Sequence, residues 1–257
     1  MDAAVAYVEV APAPVLGAKR AFGVLLGFVA AQLATGAVLG FFGGLWYVLA
    51  YGPGPNTVSE VQRLVAVPGT LAGHIIGAFV AFRMARRTLA GPVASGAFVS
   101  IGWARASSRD LLRASAAGVG LGLVYLFVLV PAVQPSPGRE LGPLASAALA
   151  GGWARHAWAF LAVLVAPPVE EFVFRGVLLT GFRRSWGLAP AGALVSVLFV
   201  AAHFSEIANA GPAIIGVALV TGATLVARLA GRSLAPAIAL HASYNLAIVI
   251  ATYASGA

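Results

Sequence analysis

Three ionisable side chains stand close together in an otherwise apolar stretch of the chain, Ala157–Phe182. Glu170 and Glu171 are adjacent, and Arg175 follows four residues after Glu171. A charge at the centre of a bilayer costs about 2.5–3.5 kcal/mol on insertion scales, so such groups are kept where they pair or take part in chemistry. This stretch therefore contains candidate site residues of a membrane enzyme.

The spacing gives the two glutamates different roles. In an α-helix Glu171 and Arg175 lie one turn apart on one face, with the acid N-terminal to the base, which predicts an ion pair. Glu170 points about 100° away from Glu171. We therefore expect Glu171 and Arg175 to support a site and Glu170 to face a cavity.

Two prolines, Pro167 and Pro168, come just before the glutamates. They predict a broken helix that restarts with Glu170 and Glu171 in its first turn, where the helix dipole favours carboxylates. Broken helices are tolerated in membranes where they line a water-filled cavity. A hydrolytic site within lipid needs such a cavity.

Further polar side chains occur in the later apolar segments: His203, then His241 and Asn245, which share one helix face. A carboxylate and a histidine can activate a water, and a second histidine with an asparagine can donate to a developing oxyanion. The same set could also ligate a metal through glutamate oxygens and histidine nitrogens. For His74, alone in its apolar segment, we expect a core residue bonded to a carbonyl, and for His156 an interfacial position.

The composition predicts one integral membrane domain that fills residues 1–257. Of these residues 60% are hydrophobic and 9% are charged, against about 25% charged in soluble domains. The net charge of +8 does not indicate nucleic-acid binding, because the basic residues lie at the ends of apolar segments. Cysteine is absent, which excludes thiolate metal sites and a cysteine nucleophile.

The apolar segments predict an all-α polytopic bundle of seven or eight transmembrane helices. Glycines spaced by four (Gly36/Gly40/Gly44, Gly73/Gly77 and Gly118/Gly122) favour close packing between these helices. The eighth segment, Gly91–Ala104, is short. The seven longer segments are Ala21–Leu49, Val65–Phe82, Ala116–Val133, Ala157–Phe182, Leu188–Phe204, Pro212–Ala230 and Leu234–Thr252.

The basic residues also predict an orientation. With a cytoplasmic N-terminus, the connections on the outside hold Arg63, Arg139 and Arg155, and those on the inside hold twelve basic residues, as the positive-inside rule requires. The arginine-rich, lysine-poor usage suggests a bacterial cytoplasmic membrane. The twelve inside residues are Lys19, Arg20, Arg83, Arg86, Arg87, Arg105, Arg109, Arg113, Arg183, Arg184, Arg228 and Arg232.

The order of the polar motifs resembles the CPBP family, which comprises CAAX prenyl proteases and bacteriocin-processing intramembrane endopeptidases. The resemblance covers about Ala157 to Thr252. The motifs that carry it are Glu170-Glu171-x-x-x-Arg175, Phe199-x-x-x-His203 and His241-x-x-x-Asn245.

The resemblance implies that Glu170 activates the water with the help of His203. It implies that His241 and Asn245 stabilise the oxyanion, while Glu171, Arg175 and Phe199 support the site. The family is described both as glutamate-dependent and as metal-dependent. In the metal version a divalent ion such as zinc would be held by Glu170, His203 and His241, whereas the lack of a His-Glu-x-x-His motif favours the glutamate version.

Other classes of protein remain as alternatives. Asp2 and Asp110 are the only aspartates and lie outside the predicted spans, so a membrane aspartyl dyad is excluded, and no Gly-x-Ser-Gly motif indicates a serine protease. A catalytically silent scaffold or immunity protein, or a proton-coupled transporter, would use similar residues. The expected partner is a membrane-associated protein or peptide, with a prenylated tail, a bacteriocin leader and a C-terminal sorting helix all open, as is the oligomeric state.

Overall fold

The computed structural model describes residues 16–89, 98–132, 143–150, 152–209 and 212–254. Within these ranges the chain forms nine helices and a short 3₁₀ turn at Val99–Ile101, and no strand. The helices are α1 (Ala18–Tyr51), α2 (Thr57–Leu89), α3 (Ser108–Ala132), α4 (Pro143–Ala150), α5 (Gly152–Trp186), α6 (Leu188–Ala202), α7 (Phe204–Asn209), α8 (Ala213–Gly231) and α9 (Leu234–Ala254).

Six of these helices (α1, α2, α3, α5, α8 and α9) are long and apolar enough to cross a membrane. The predicted span at Leu188–Phe204 appears as α6, a shorter apolar helix of 15 residues. The predicted all-α polytopic bundle is confirmed, and the protein is an integral membrane protein. Of the short segment Gly91–Ala104, residues 91–97 lie outside the described ranges, and the rest holds the 3₁₀ turn.

Helix α5 carries the glutamates, and its course differs from the prediction. The helix is not broken at Pro167 and Pro168 but continues to Trp186. It winds into wider π-helical turns at Leu161–Val165 and at Phe172–Leu178. The prolines have no N–H to donate, and the helix continues past them because the adjoining segments form hydrogen bonds between residues five apart. Such π-helical segments are frequent at functional sites.

Close glycine contacts hold the bundle together at two helix pairs. Gly73 and Gly77 of α2 lie against Gln32 and Phe28 of α1, while Gly118 and Gly122 of α3 lie against the backbone of α9. The α3–α9 pair runs parallel and places the start of α9 beside the start of α3. The prediction was wrong for Gly36 and Gly40, which face open space in the described structure.

All twelve basic residues assigned above to the inside connections lie at one end of the bundle, which we name the basic end. Helices α1, α3, α6 and α9 begin there, and α2, α5 and α8 end there. Hydrogen bonds tie this end together, among them Ala18 N to Ser185 Oγ at 3.0 Å and Leu234 N to the Gly102 carbonyl at 2.8 Å. At the opposite end the described Lys and Arg side chains are Arg63 and Arg155.

Candidate active site

Glu170 lines a cavity of about 380 Å³ inside the bundle. Its side chain projects from the segment of α5 between the two π-helical stretches and is 8% exposed. Helices α1, α2, α3, α5, α6, α8 and α9 all contribute to the wall, which is mainly apolar. The expectation that Glu170 faces a cavity is confirmed.

Three imidazoles surround the Glu170 carboxylate. Oε1 lies 3.3 Å from Nε2 of His74. Oε2 lies 3.8 Å from Nε2 of His203 and 3.9 Å from Nε2 of His241. Oε2 is buried and has no hydrogen-bond partner among the residues that the structure describes. The two longer distances exceed that of a direct hydrogen bond.

The other ring nitrogens of His203 and His241 face hydrogen-bond acceptors. Nδ1 of His203 lies 2.8 Å from the Phe199 carbonyl, and Nδ1 of His241 lies 3.0 Å from Oε1 of Glu171. Because a carbonyl and a carboxylate accept, each Nδ1 carries its proton. In the neutral rings the Nε2 lone pairs therefore point toward Glu170 and the cavity.

The predicted ion pair between Glu171 and Arg175 is confirmed, and it lies in the protein interior. The two side chains are 0% and 1% exposed, with Nε of Arg175 3.4 Å from Oε2 of Glu171. The guanidinium also donates from Nη2 to the Thr221 carbonyl at 3.0 Å and lies 4.1 Å from the Phe199 ring centroid. This arrangement joins α5, α6 and α8 behind the site and presents Glu171 to His241.

Phe199 connects the buried ion pair to the histidines. It is fully buried, and its ring is stacked on His203 at 4.6 Å between centroids. The edge-to-face contact with His241, at 5.9 Å, comes from the same ring. Phe199 therefore contacts both imidazole rings, and its supporting role in the site stays a prediction.

Asn245 lines the cavity on the same face of α9 as His241. Its amide donates from Nδ2 to the Ala162 carbonyl of α5 at 2.7 Å. In the π-helical stretch the Ala166 N–H bonds to the Leu161 carbonyl, five residues back. The next bond of that kind would join Ala162 to Pro167, which has no N–H to donate. Asn245 thus satisfies a carbonyl that the proline leaves open.

His74 is the residue of the site that the sequence did not predict. Its Nδ1 lies 2.9 Å from the Thr70 carbonyl, as expected for a core histidine, but its Nε2 contacts Glu170. Gln32 of α1 lies on the other side of the ring, with Nε2 3.3 Å from Nδ1. The one signal in the sequence is that His74 is the only histidine in the first half of the chain. His156 is exposed and contacts the Tyr253 hydroxyl at 2.6 Å, away from the site.

Whether the site could hold a metal ion depends on how its donor atoms are arranged. In the part of the chain that the structure describes, no group of three or more His, Cys, Asp or Glu side chains is arranged to hold one. In the set that the metal version would use, Nε2 of His203 and Nε2 of His241 both lie near the same oxygen, Oε2 of Glu170.

The comparison with protein families gives a match to residues 152–247, described as type II CAAX prenyl endopeptidase Rce1-like. The matched segment contains all three motifs but excludes His74. This confirms the recognition made from the motifs, which lie within the same part of the chain. Neither the curated proteins nor the solved structures gave a match.

Proposed function

We propose that the protein is an intramembrane endopeptidase, because residues 152–247 match the model of the Rce1-like type II CAAX prenyl endopeptidase family. It hydrolyses a peptide bond near the membrane-associated end of a protein or peptide, in a bacterial cytoplasmic membrane with the N-terminus inside. One observation carries the proposal: Glu170 is enclosed by three imidazoles within a cavity, and its Oε2 accepts no hydrogen bond from the residues that the structure describes.

In this mechanism, the attacking water lies between Oε2 of Glu170 and Nε2 of His203, both of which accept hydrogen bonds. Glu170 takes one proton as the water oxygen bonds to the scissile carbonyl carbon, and the carbonyl oxygen becomes an oxyanion. When the intermediate collapses, the C–N bond breaks and Glu170 returns the proton to the leaving nitrogen. The products are a carboxyl terminus and an amine, and the site is restored.

His241 and Asn245 are the donors to the oxyanion. Donation from His241 uses an N–H on its Nε2, while its Nδ1 lies 3.0 Å from Oε1 of Glu171, which holds the ring in place. Asn245 uses one amide N–H for the Ala162 carbonyl, which leaves its second N–H for the substrate. Donors fixed in advance in this way stabilise charge as it develops.

His74 acts as a positioning residue for Glu170. Nδ1 of His74 faces a carbonyl and Nε2 faces a carboxylate, so a proton must lie between Nε2 and Oε1 of Glu170. That bond fixes the rotation of the carboxyl group. Oε2 is then directed at His203 and His241, where the water is needed.

The first experiment compares the membrane and secreted proteomes of cells that carry the wild-type protein or Glu170→Gln at equal expression. We expect proteins with an uncut hydrophobic terminus in the variant, because a missing general base lowers the rate by about 10²–10⁴-fold. Glu60→Gln is the matched control, since Glu60 is an exposed carboxylate paired with Arg63 at 3.1 Å. If deletion of the gene causes a phenotype that Glu170→Gln does not cause, the protein acts as a scaffold or immunity protein and not as a protease. A transporter is indicated instead if proton-coupled transport is lost and the proteome is unchanged.

A further inference from the structure

The cavity extends from the middle of the bundle toward the end opposite the basic end. On α8 the residues that line it are Ala213, Gly216, Val217 and Val220, all in the part of the helix away from the basic end. Glu170 itself lies near the middle of α5, eighteen residues after Gly152 and sixteen before Trp186 at the basic end. From Glu170 the cavity continues away from that end, past Ala162 and Trp158 of α5.

A separate cavity at the basic end is lined by Leu179 and Thr180, and between it and the site the described side chains are closely packed. Residues 172–179 of α5 are all buried, and Phe182, one turn further, is 1% exposed. Val24 of α1 and Ala237 of α9 are fully buried at the same level. An extended peptide has no route to Glu170 through side chains packed in this way.

Exposure is greater on the His203 side of the cavity than on the His241 side. The side chain of His203 is 23% exposed, against 5% for His241. Ala202, beside His203 at the end of α6, is exposed, and Ala213 at the start of α8 is half-buried. The cavity therefore reaches the surface near the connection between α6 and α8, far from the basic end.

The distribution of charge decides which side of the membrane this is. Twelve of the sixteen Lys and Arg residues lie at the basic end, and Arg63 and Arg155 are the described ones at the other. The positive-inside rule makes the basic end cytoplasmic. The mouth of the cavity then faces the outer half of the bilayer.

We infer that the site receives its substrate from the extracytoplasmic half of the membrane. This rests on the proposed peptidase function and narrows its substrate class. The substrate is a polypeptide whose scissile bond has already crossed the membrane or lies in its outer half, as at a C-terminal membrane helix of an exported protein. A prenylated tail held at the cytoplasmic surface does not reach Glu170 by this route.

The absence of cysteine allows a direct test by single-cysteine labelling in the full chain. Ala202→Cys and Ala213→Cys report on the cavity, Asn56→Cys on the α1–α2 connection and Ser108→Cys on the basic end. Val197→Cys is the control for α6, because Val197 is 64% exposed but does not line the cavity. Each variant is treated with a charged, membrane-impermeant methanethiosulfonate reagent in intact spheroplasts and in inverted vesicles.

We expect the cavity cysteines and Asn56→Cys to react in spheroplasts, and Ser108→Cys to react only in inverted vesicles. Val197→Cys, in contact with lipid, reacts in neither. The inference is overturned if both cavity cysteines react only from the side of Ser108→Cys, if they react from neither side, or if Ser108→Cys reacts in spheroplasts. Labelling does not depend on peptidase activity, so the experiment can refute the direction of access without refuting the proposed activity.

The cut sites found in the proteomic comparison provide a second test of the direction of substrate access. Sites in translocated segments or outer membrane halves support the inference, and sites in cytoplasmic tails contradict it. A proteome without cut sites, combined with cavity labelling from outside, would remove the peptidase proposal while leaving the geometry of access in place.

Discussion

The contact between His74 and Glu170 predicts a measurable contribution to the rate. A hydrogen bond to a charged group contributes about 1.5–3 kcal/mol. At 3.3 Å the contact is longer than the 2.7–2.9 Å typical of such bonds, which favours the lower part of that range. A loss of about 1.5–2 kcal/mol corresponds to a decrease of about 10- to 30-fold in kcat.

His74→Phe keeps a ring of similar size and removes the donor. His74→Gln places an amide N–H near the former Nε2 and so keeps the bond to Glu170 but cannot carry a ring proton. We therefore expect the full decrease in His74→Phe and most of the wild-type rate in His74→Gln. His156→Gln is the matched control, because His156 bonds to the Tyr253 hydroxyl outside the cavity.

The assay uses purified protein in lipid nanodiscs and a peptide that spans a cut site found in the proteomic comparison. Initial rates over a range of peptide concentrations separate kcat from KM. A wild-type kcat in His74→Phe would refute the positioning role. A change in KM alone would mean that His74 contacts the substrate and not the general base, and equally slow Phe and Gln variants would show that the ring proton matters more than the orientation.

Two further predictions concern stability, measured by reversible unfolding in detergent micelles. Arg175→Met leaves the Glu171 carboxylate buried without its cation, so we expect a loss of about 3–5 kcal/mol, which the double variant Glu171→Gln/Arg175→Met partly restores; equal losses in the single and double variants would contradict this. Gly118→Ala forces a methyl group against the Leu240 backbone carbonyl and should lower both stability and activity, since α3 would separate from α9. Gly120→Ala, whose new methyl group meets open space, should be neutral or stabilising by up to about 1 kcal/mol; similar effects of the two substitutions would exclude close α3–α9 packing.

The sequence was sufficient for those parts of the site that depend on spacing within one helix. The four-residue separation places Glu171 with Arg175 and His241 with Asn245 whatever the neighbouring helices do, and the structure has both arrangements. Glu170 could be assigned to a cavity because the adjacent glutamate uses the available cation. The roles of these residues in catalysis remain predictions.

Features that depend on contacts between helices could not be read in the same way. His74 and Glu170 are 96 residues apart, and no pattern within α2 shows which helix faces it. The effect of Pro167 was wrongly predicted because Asn245, on another helix, satisfies the carbonyl that the proline leaves open. Gly36 has the same four-residue spacing as the packed glycines, but whether a partner helix lies opposite is a tertiary property.

The arrangement around α5 also has a consequence for biogenesis. A membrane protein is inserted in the order in which it is translated, N-terminal helices first, so α5 reaches the bilayer before α8 and α9 have been made. At that stage His241 has not been synthesised and cannot contact Glu170 or Glu171. Glu171 already has Arg175 in its own helix, and Glu170 can meet His74 on α2, which precedes it in the chain. Each glutamate of α5 thus has a partner available when α5 enters the membrane, and the other contacts of the site form after α8 and α9 have been inserted.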